Sequence, residues 1–310
     1  MTFAFVFPGQ GSQSVGMMQS FADSDPVRGV FTEASDTLGQ DLWKLAAEGP
    51  PEALSPTVNT QPLMLTAGYA IYRAWLAAGG GEPSVVAGHS LGEYTALVIA
   101  GALAFRDALP LVRFRAQAMQ EAVPMGQGAM AAILGLEDEA VRAACSEAAQ
   151  GQVVEPVNFN APSQVVIAGH RAAVERGVAL AKSKGAKRAM MLPVSAPFHS
   201  SLLKPAADRL ASYLGGVRMS APSIRVINNV DVAVETDPQR IRQALARQAC
   251  NPVRWVETVQ RIAADGIAQV AECGPGKVLA GLTRRIDGAL QSHAIADAPS
   301  LQQALLALKT

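Results

Sequence analysis

A chain of 310 residues, 49% of them apolar, can bury a substantial core as one large domain or two, and it is expected to fold alone as a monomer. Its 26 basic residues balance its 26 acidic ones without a long basic run, which argues against a nucleic-acid binder and leaves any charged partner to a local patch. Cys145, Cys250 and Cys273 have no Cys-x-x-Cys spacing and read as free thiols, and neither a signal core nor an apolar run of ~20 residues is present, so a cytoplasmic protein without a membrane span is expected.

Thr2 to Phe7 is an apolar run of strand length, predicted to be buried, and it enters the glycine-rich loop Pro8-Gly9-Gln10-Gly11-Ser12-Gln13-Ser14-Val15-Gly16. A dinucleotide fingerprint needs a glycine where Ser14 stands, and a P-loop needs Lys followed by Ser or Thr where Met17 and Met18 stand. What remains is a loop at the carboxyl end of a strand, where open α/β sheets place their sites, and Gln10 is the candidate for an oxyanion-binding amide. Val30 to Thr37, Leu42 to Ala47 and Gln61 to Leu76 are predicted helices, with a turn at Pro50-Pro51. Asn59 or Thr60 is the expected cap of the last helix, with Pro62 in its first turn.

The next strand, Val85 to Ala87, runs into Gly88-His89-Ser90-Leu91-Gly92 and then an apolar helix, Glu93 to Ala100. Strand, Gly-x-Ser-x-Gly and helix together read as a nucleophile elbow. The glycines let strand and helix approach, Ser90 is lifted into a cleft, and the Leu91 amide can face an oxyanion. Arg106 to Val123 is a further helix with its buried seam on Val112, Ala116, Met119 and Val123. Arg115 is rooted beside that seam, where an arginine either snorkels to water or pairs with a carboxylate.

From Met125 the pattern changes. Strand Ala129 to Leu134, helix Glu137 to Ala149, strands Val153 to Asn158 and Gln164 to Ala168, helix Ala172 to Lys184 and strand Arg188 to Val194 form a βαββαβ order. That order predicts a ferredoxin-like small subdomain at 125–195, inserted into a larger α/β subdomain made of 1–124 and 196–310. After it come the loop Ser195-Ala196-Pro197-Phe198-His199 and a helix, Leu202 to Leu214. Strand Ile224 to Val230, helices Pro238 to Ala249 and Trp255 to Ala264, strand Ile267 to Glu272, helix Val278 to Ile286, strand His293 to Ala296 and a last helix complete the chain. The alternation suits a parallel sheet covered on both faces.

A neutral serine needs a base within hydrogen-bond reach. Of the four histidines, His89 is expected to buttress the elbow and His170 belongs to the inserted unit. Position alone leaves His199, in a loop after a strand, and His293, where an α/β-hydrolase keeps its base, as equal candidates. Asn158 and Asn160 either lie near the site or satisfy strand ends.

Phe7-Pro8-Gly9-Gln10-Gly11-Ser12-Gln13, Gly88-His89-Ser90-Leu91-Gly92-Glu93, Arg115 with Met119 to Pro124, Ala196-Pro197-Phe198-His199, Asn228-Asn229-Val230, Gln248 with Asn251-Pro252-Val253, and Glu272-Cys273-Gly274-Pro275-Gly276 follow one another in order. Together they resemble the malonyl-CoA:acyl carrier protein transacylases of bacterial fatty-acid synthesis, over nearly the whole chain. The resemblance implies Ser90 as the acylated nucleophile and His199 as its base, oriented by the main-chain carbonyl of Gln248. It implies the amides of Gln10 and Leu91 as the oxyanion hole, Arg115 as the grip on the malonyl carboxylate, and Phe198 as a residue that goes with malonyl units. Malonyl-CoA and acyl carrier protein are then the partners, with no cofactor and no metal. Lys187, Arg188, Arg284 and Arg285 are the cations expected to face an acidic carrier across the cleft. The competing expectations are an esterase using His293, a malonyl-loading subunit of a decarboxylase assembly, and a carrier-binding scaffold without turnover.

Overall fold

In the computed structural model, which describes residues 2–194 and 196–308, the first apolar run forms β1 (Phe3–Phe7). Phe3, Phe5 and Phe7 enter one core, where Tyr72 and Trp75 meet Phe5 edge-on, while Ala4 and Val6 enter the other. Burial on both faces is the condition for a central strand of a parallel sheet, and each fully buried aromatic there is worth roughly 2 kcal/mol in transfer from water. The other strands are β2 (Val85–Gly88), β3 (Gly128–Leu134), β4 (Val154–Ala161), β5 (Gln164–His170), β6 (Arg188–Met191), β7 (Arg225–Ile227), β8 (Gln269–Cys273) and β9 (Gln291–Ile295).

They form two sheets. The larger has the order β7-β2-β1-β8-β9, and its pairings are all parallel. The smaller has the order β4-β5-β3-β6 with antiparallel pairings, which is the ferredoxin-like arrangement. The molecule is thus an α/β protein with a parallel-sheet part and a separate antiparallel-sheet part. Ser195, the expected end of the small subdomain, lies outside the described residues.

Helices α1 (Asp25–Leu38), α2 (Leu42–Glu48), α3 (Pro51–Leu54) and α4 (Thr57–Ala77) connect β1 to β2, and α5 (Gly92–Ile99) and α6 (Phe105–Glu121) follow β2. The small sheet is covered on one face by α7 (Asp138–Ala149) and α8 (Arg171–Ser183). Then come α9 (Lys204–Gly215) before β7, α10 (Pro238–Gln248) and α11 (Trp255–Ala264) before β8, α12 (Val278–Ile286) before β9, and α13 (Ala298–Ala307). Among the described residues no helix is long and apolar enough to cross a membrane.

Two expected boundaries move for identifiable reasons. Helix α4 starts at Thr57, ahead of Asn59 and Thr60, and keeps Pro62 inside it. The side chains expected to cap it instead satisfy the end of α3: Asn59 donates to the Ala53 carbonyl and Thr60 to that of Leu54. Strand β6 stops at Met191, short of Val194, since Pro193 has no N–H to continue a ladder. The freed segment Leu192–Val194 turns toward the cleft.

The two sheets are stitched along β4. Phe159 N–H donates to the Val253 carbonyl at 3.0 Å, and Val253 N–H to that of Val157 at 2.9 Å. His89 adds a side-chain link, its Nε2 2.8 Å from Asn160 Oδ1.

Candidate active site

The chain leaves β2 through Ser90, whose φ of +53° puts a non-glycine residue in the left-handed region. The turn is possible because its flanks carry no side chain. A Cβ on Gly88 would lie 1.9 Å from the Gly92 carbonyl carbon, and one on Gly92 would lie 2.0 Å from the Phe7 oxygen. Asn229, just past β7, holds the turn from outside: its Oδ1 accepts from the Ser90 amide at 2.7 Å and its Nδ2 donates to the Gly88 carbonyl at 2.7 Å.

The serine hydroxyl meets two partners. His199 Nε2 lies 2.8 Å from Ser90 Oγ, and Arg115 Nη2 donates to the same oxygen at 3.1 Å. The other imidazole nitrogen, Nδ1, is 2.8 Å from the main-chain carbonyl of Gln248. A carbonyl only accepts, so Nδ1 carries the proton and Nε2 is left with its lone pair toward the hydroxyl. Burial, and then the Arg115 guanidinium, press the His199 pKa down to about 3, which keeps the ring neutral at pH 7. His199, like Ser90, has positive φ, at +65°.

Arg115 is 1% exposed and is held by neutral groups alone: Nη1 donates to Gln61 Oε1 at 2.9 Å and Nη2 to Gln248 Oε1 at 2.8 Å, while Nε has no partner. Among the described residues no carboxylate forms an ion pair with it. Burial lowers its pKa, and Tyr94 and Glu93 oppose that effect. A buried cation without a contacting anion is costly, and an incoming carboxylate relieves that cost.

These groups line a cleft of about 460 Å³ at the carboxyl ends of β1 and β2. Gln10, Leu91, Phe198, Met119 and Met130 border it, as do Asn158 and Asn160. The Gly9 backbone, which leads into Gln10, runs close to the elbow: a Cβ on Gly9 would stand 3.8 Å from the Leu91 nitrogen. No hydrogen bond among the described residues engages either amide. A cleft of equal volume between α9 and α10 is lined by Lys204, Arg242, Arg247 and Cys250, but it brings no serine and histidine together, and burial raises the pKa of its thiol.

The remaining histidines lie elsewhere or play another part. His293 on β9 bonds through Nε2 to Gln269 Oε1 at 2.8 Å, at the amino end of β8 and so away from the elbow. His170 accepts the Val153 amide through Nδ1. His89 is half-buried, edge-on to Trp255 and bonded to Asn160, and desolvation lowers its pKa. Among the described residues no group of three or more His, Cys, Asp and Glu side chains could hold a metal ion.

Of the four expected docking cations, three come to one end of the small sheet. Arg188 pairs with Leu134, Leu134 with Gln164, and Arg285 donates to the Gln164 side chain, so both arginines stand at one end of the small sheet. Lys187 packs along Gly135, and Arg284 is engaged by the Ser292 carbonyl at 3.3 Å.

Sequence reasoning missed Gln61, Glu93, Asn229 and the side chain of Gln248. Glu93, Asn229 and Gln248 stand in the motifs that carry the resemblance. Polarity out of place was a further signal: Glu93 is in the first turn of a helix whose residues are buried throughout, and Gln61 sits inside an otherwise buried stretch of α4.

The acyl transferase domain family model matches residues 4–303. The chain is 56% identical over 304 residues to the malonyl CoA-acyl carrier protein transacylase of Escherichia coli (strain K12), covering 98% of each chain. The crystal structure of an acyl-carrier-protein S-malonyltransferase from Burkholderia pseudomallei 1710b superposes with a TM-score of 0.98 at 67% identity, covering 99% of this chain and 100% of that one. A malonyl-transacylase solved in complex with its type II polyketide acyl-carrier protein superposes with a TM-score of 0.97 at 53% identity, covering 99% and 100%.

Proposed function

The chain belongs to the acyl transferase domain family, and from that premise we propose that it moves the malonyl group of malonyl-CoA to the phosphopantetheine thiol of acyl carrier protein, through an ester on Ser90, in fatty-acid synthesis. The observation that carries the substrate is the 3.1 Å between Arg115 Nη2 and Ser90 Oγ. A malonyl carboxylate is one methylene away from the thioester carbonyl, so the group that grips it has to stand beside the nucleophile, as this guanidinium does. Its planar fork suits both carboxylate oxygens.

On this reading the reaction runs through these positions. Ser90 Oγ attacks the thioester carbonyl as its proton passes to His199 Nε2, and the carbonyl π pair moves to oxygen, which the Gln10 and Leu91 amides receive. The pair returns, the C–S bond breaks, and His199 gives its proton to the departing coenzyme A sulfur. The carrier thiol then loses its proton to His199 and attacks the ester, and Ser90 leaves reprotonated. No cofactor or metal enters these steps.

The same reading places the enzyme in the cytoplasm as a monomer. It takes residues 1–124 with 196–310 as the large subdomain and 125–195 as an inserted small one, and it assigns carrier docking to Lys187, Arg188, Arg284 and Arg285. An esterase would call on His293, whose ring bonds at the opposite end of the sheet.

The test is incubation with labelled malonyl-CoA followed by intact-mass and peptide mapping. One malonyl adduct on Ser90 is expected, transferable to carrier thiol, lost in Ser90→Ala and His199→Ala, and retained in His293→Ala. In Arg115→Ala, malonyl transfer is expected to fall about 100-fold or more with loss of preference over acetyl. Absence of an adduct, or release to water alone in the presence of carrier, overturns the reading.

A further inference from the structure

Gln248 is the residue through which the imidazole and the guanidinium are held together. Its main-chain oxygen takes His199 Nδ1 at 2.8 Å, and its side-chain Oε1 takes Arg115 Nη2 at 2.8 Å. A carboxamide can sit either way round, and the reverse orientation would aim an NH₂ group at the guanidinium. What fixes the orientation lies on the other side of the amide. Nε2 donates to the Ser90 carbonyl at 2.9 Å and to Glu93 Oε2 at 2.9 Å.

Glu93 is 2% exposed, on the first turn of α5, and the same Oε2 also accepts the main-chain N–H of Asn229 at 2.9 Å. Asn229 is the residue that holds Ser90 and Gly88 in the turn. One buried carboxylate oxygen therefore joins the clamp on the nucleophile to the amide that sets the base and the cation. Glu93 contacts neither the serine hydroxyl nor the guanidinium directly.

Resting on the malonyl-transfer reading, we infer that Glu93 is a positioning residue: by accepting two hydrogen bonds at Oε2 it locks the Gln248 amide with its oxygen on Arg115, and so sets the preference for a carboxylated acyl group. The role belongs to the acceptor oxygen. A glutamine in its place keeps one such oxygen, and a methionine of similar length keeps none.

The measurement is single-turnover acylation of Ser90 by malonyl-CoA and by acetyl-CoA, followed by intact mass in the full-length enzyme, with thermal melts of each variant. Glu93→Met is expected to lower the malonyl-to-acetyl rate ratio about tenfold, the scale of one lost buried hydrogen bond, and Glu93→Gln to stay within about threefold of the parent. Gln248→Ala, which retains the main-chain carbonyl on His199, is expected to show the same fall as Glu93→Met, and the double variant no further fall. Equal slowing of both acyl groups, effects that multiply in the double variant, or loss of the preference in Glu93→Gln would overturn the inference. If Glu93→Met fails to fold, the fall in Gln248→Ala together with retention in Glu93→Gln supports the inference, and an unchanged ratio in Gln248→Ala overturns it. A parent enzyme that takes no malonyl group overturns the function itself and is a separate result.

Discussion

Ser90 and His199 face each other with positive φ, at +53° and +65°, and non-glycine residues held there cost about 1–3 kcal/mol each. The surrounding hydrogen bonds supply the restraint, with Asn229 on the serine amide and the Gln248 carbonyl on the ring. The ring's electrostatics have a further consequence. An unfolded chain binds a proton on this histidine near pH 6.5, whereas burial and Arg115 push the folded value down to about 3. The unfolded state therefore holds more protons between those values, and the His199 contribution, present above pH 6.5, is lost progressively as pH falls toward 3. Melting temperatures of the parent and His199→Ala, followed from pH 7.5 to 4.5, are expected to show a shallower acid decline in the variant. A parallel decline would contradict the assignment. The acid limb of kcat/KM, which reports the free enzyme, is expected below pH 6.

The elbow is an element rather than a residue, and its glycines carry its geometry. A methyl group at Gly92 would stand 2.0 Å from the Phe7 oxygen on the neighbouring strand, so Gly92→Ala has to move backbone. A loss of at least about 2 kcal/mol in urea unfolding is expected, with acylation reduced by more than the stability change explains. Unchanged stability would mean that strand and helix are not locked together. At this scale the sequence was informative where periodicity was strong: α11 and α12 begin and end where their apolar spacing placed them. Boundaries failed where a side chain had two possible duties, as with Asn59 and Thr60, which serve the end of α3 rather than the start of α4. The site was legible to the same extent. Ser90 stands in a recognisable turn, but position alone could not separate His199 from His293, since that choice depends on which end of the sheet each ring reaches. Glu93 and Gln248 were readable as motif members, but their hydrogen bonds arise from segments 155 residues apart.

At the scale of the whole molecule, the βαββαβ order was enough to anticipate the small sheet, because that pattern has few ways to pack. One end of it collects Arg188 and, through Gln164, Arg285. Reversing Lys187 and Arg188 to glutamate is expected to raise the KM for the carrier about tenfold and to leave that for malonyl-CoA unchanged, since patch charges steer protein partners more than buried small groups. Equal rises for both substrates would remove this surface from consideration.

The backbone of Val253, which stitches β4 to the parallel-sheet part, is only a few residues downstream of the carbonyl that aligns the imidazole. Sliding the small sheet along that seam would drag the proton acceptor out of line. The β4 edge of the small sheet is thus bound to the segment that aligns the ring, so the register of that one seam and the alignment of the ring are a single geometric quantity.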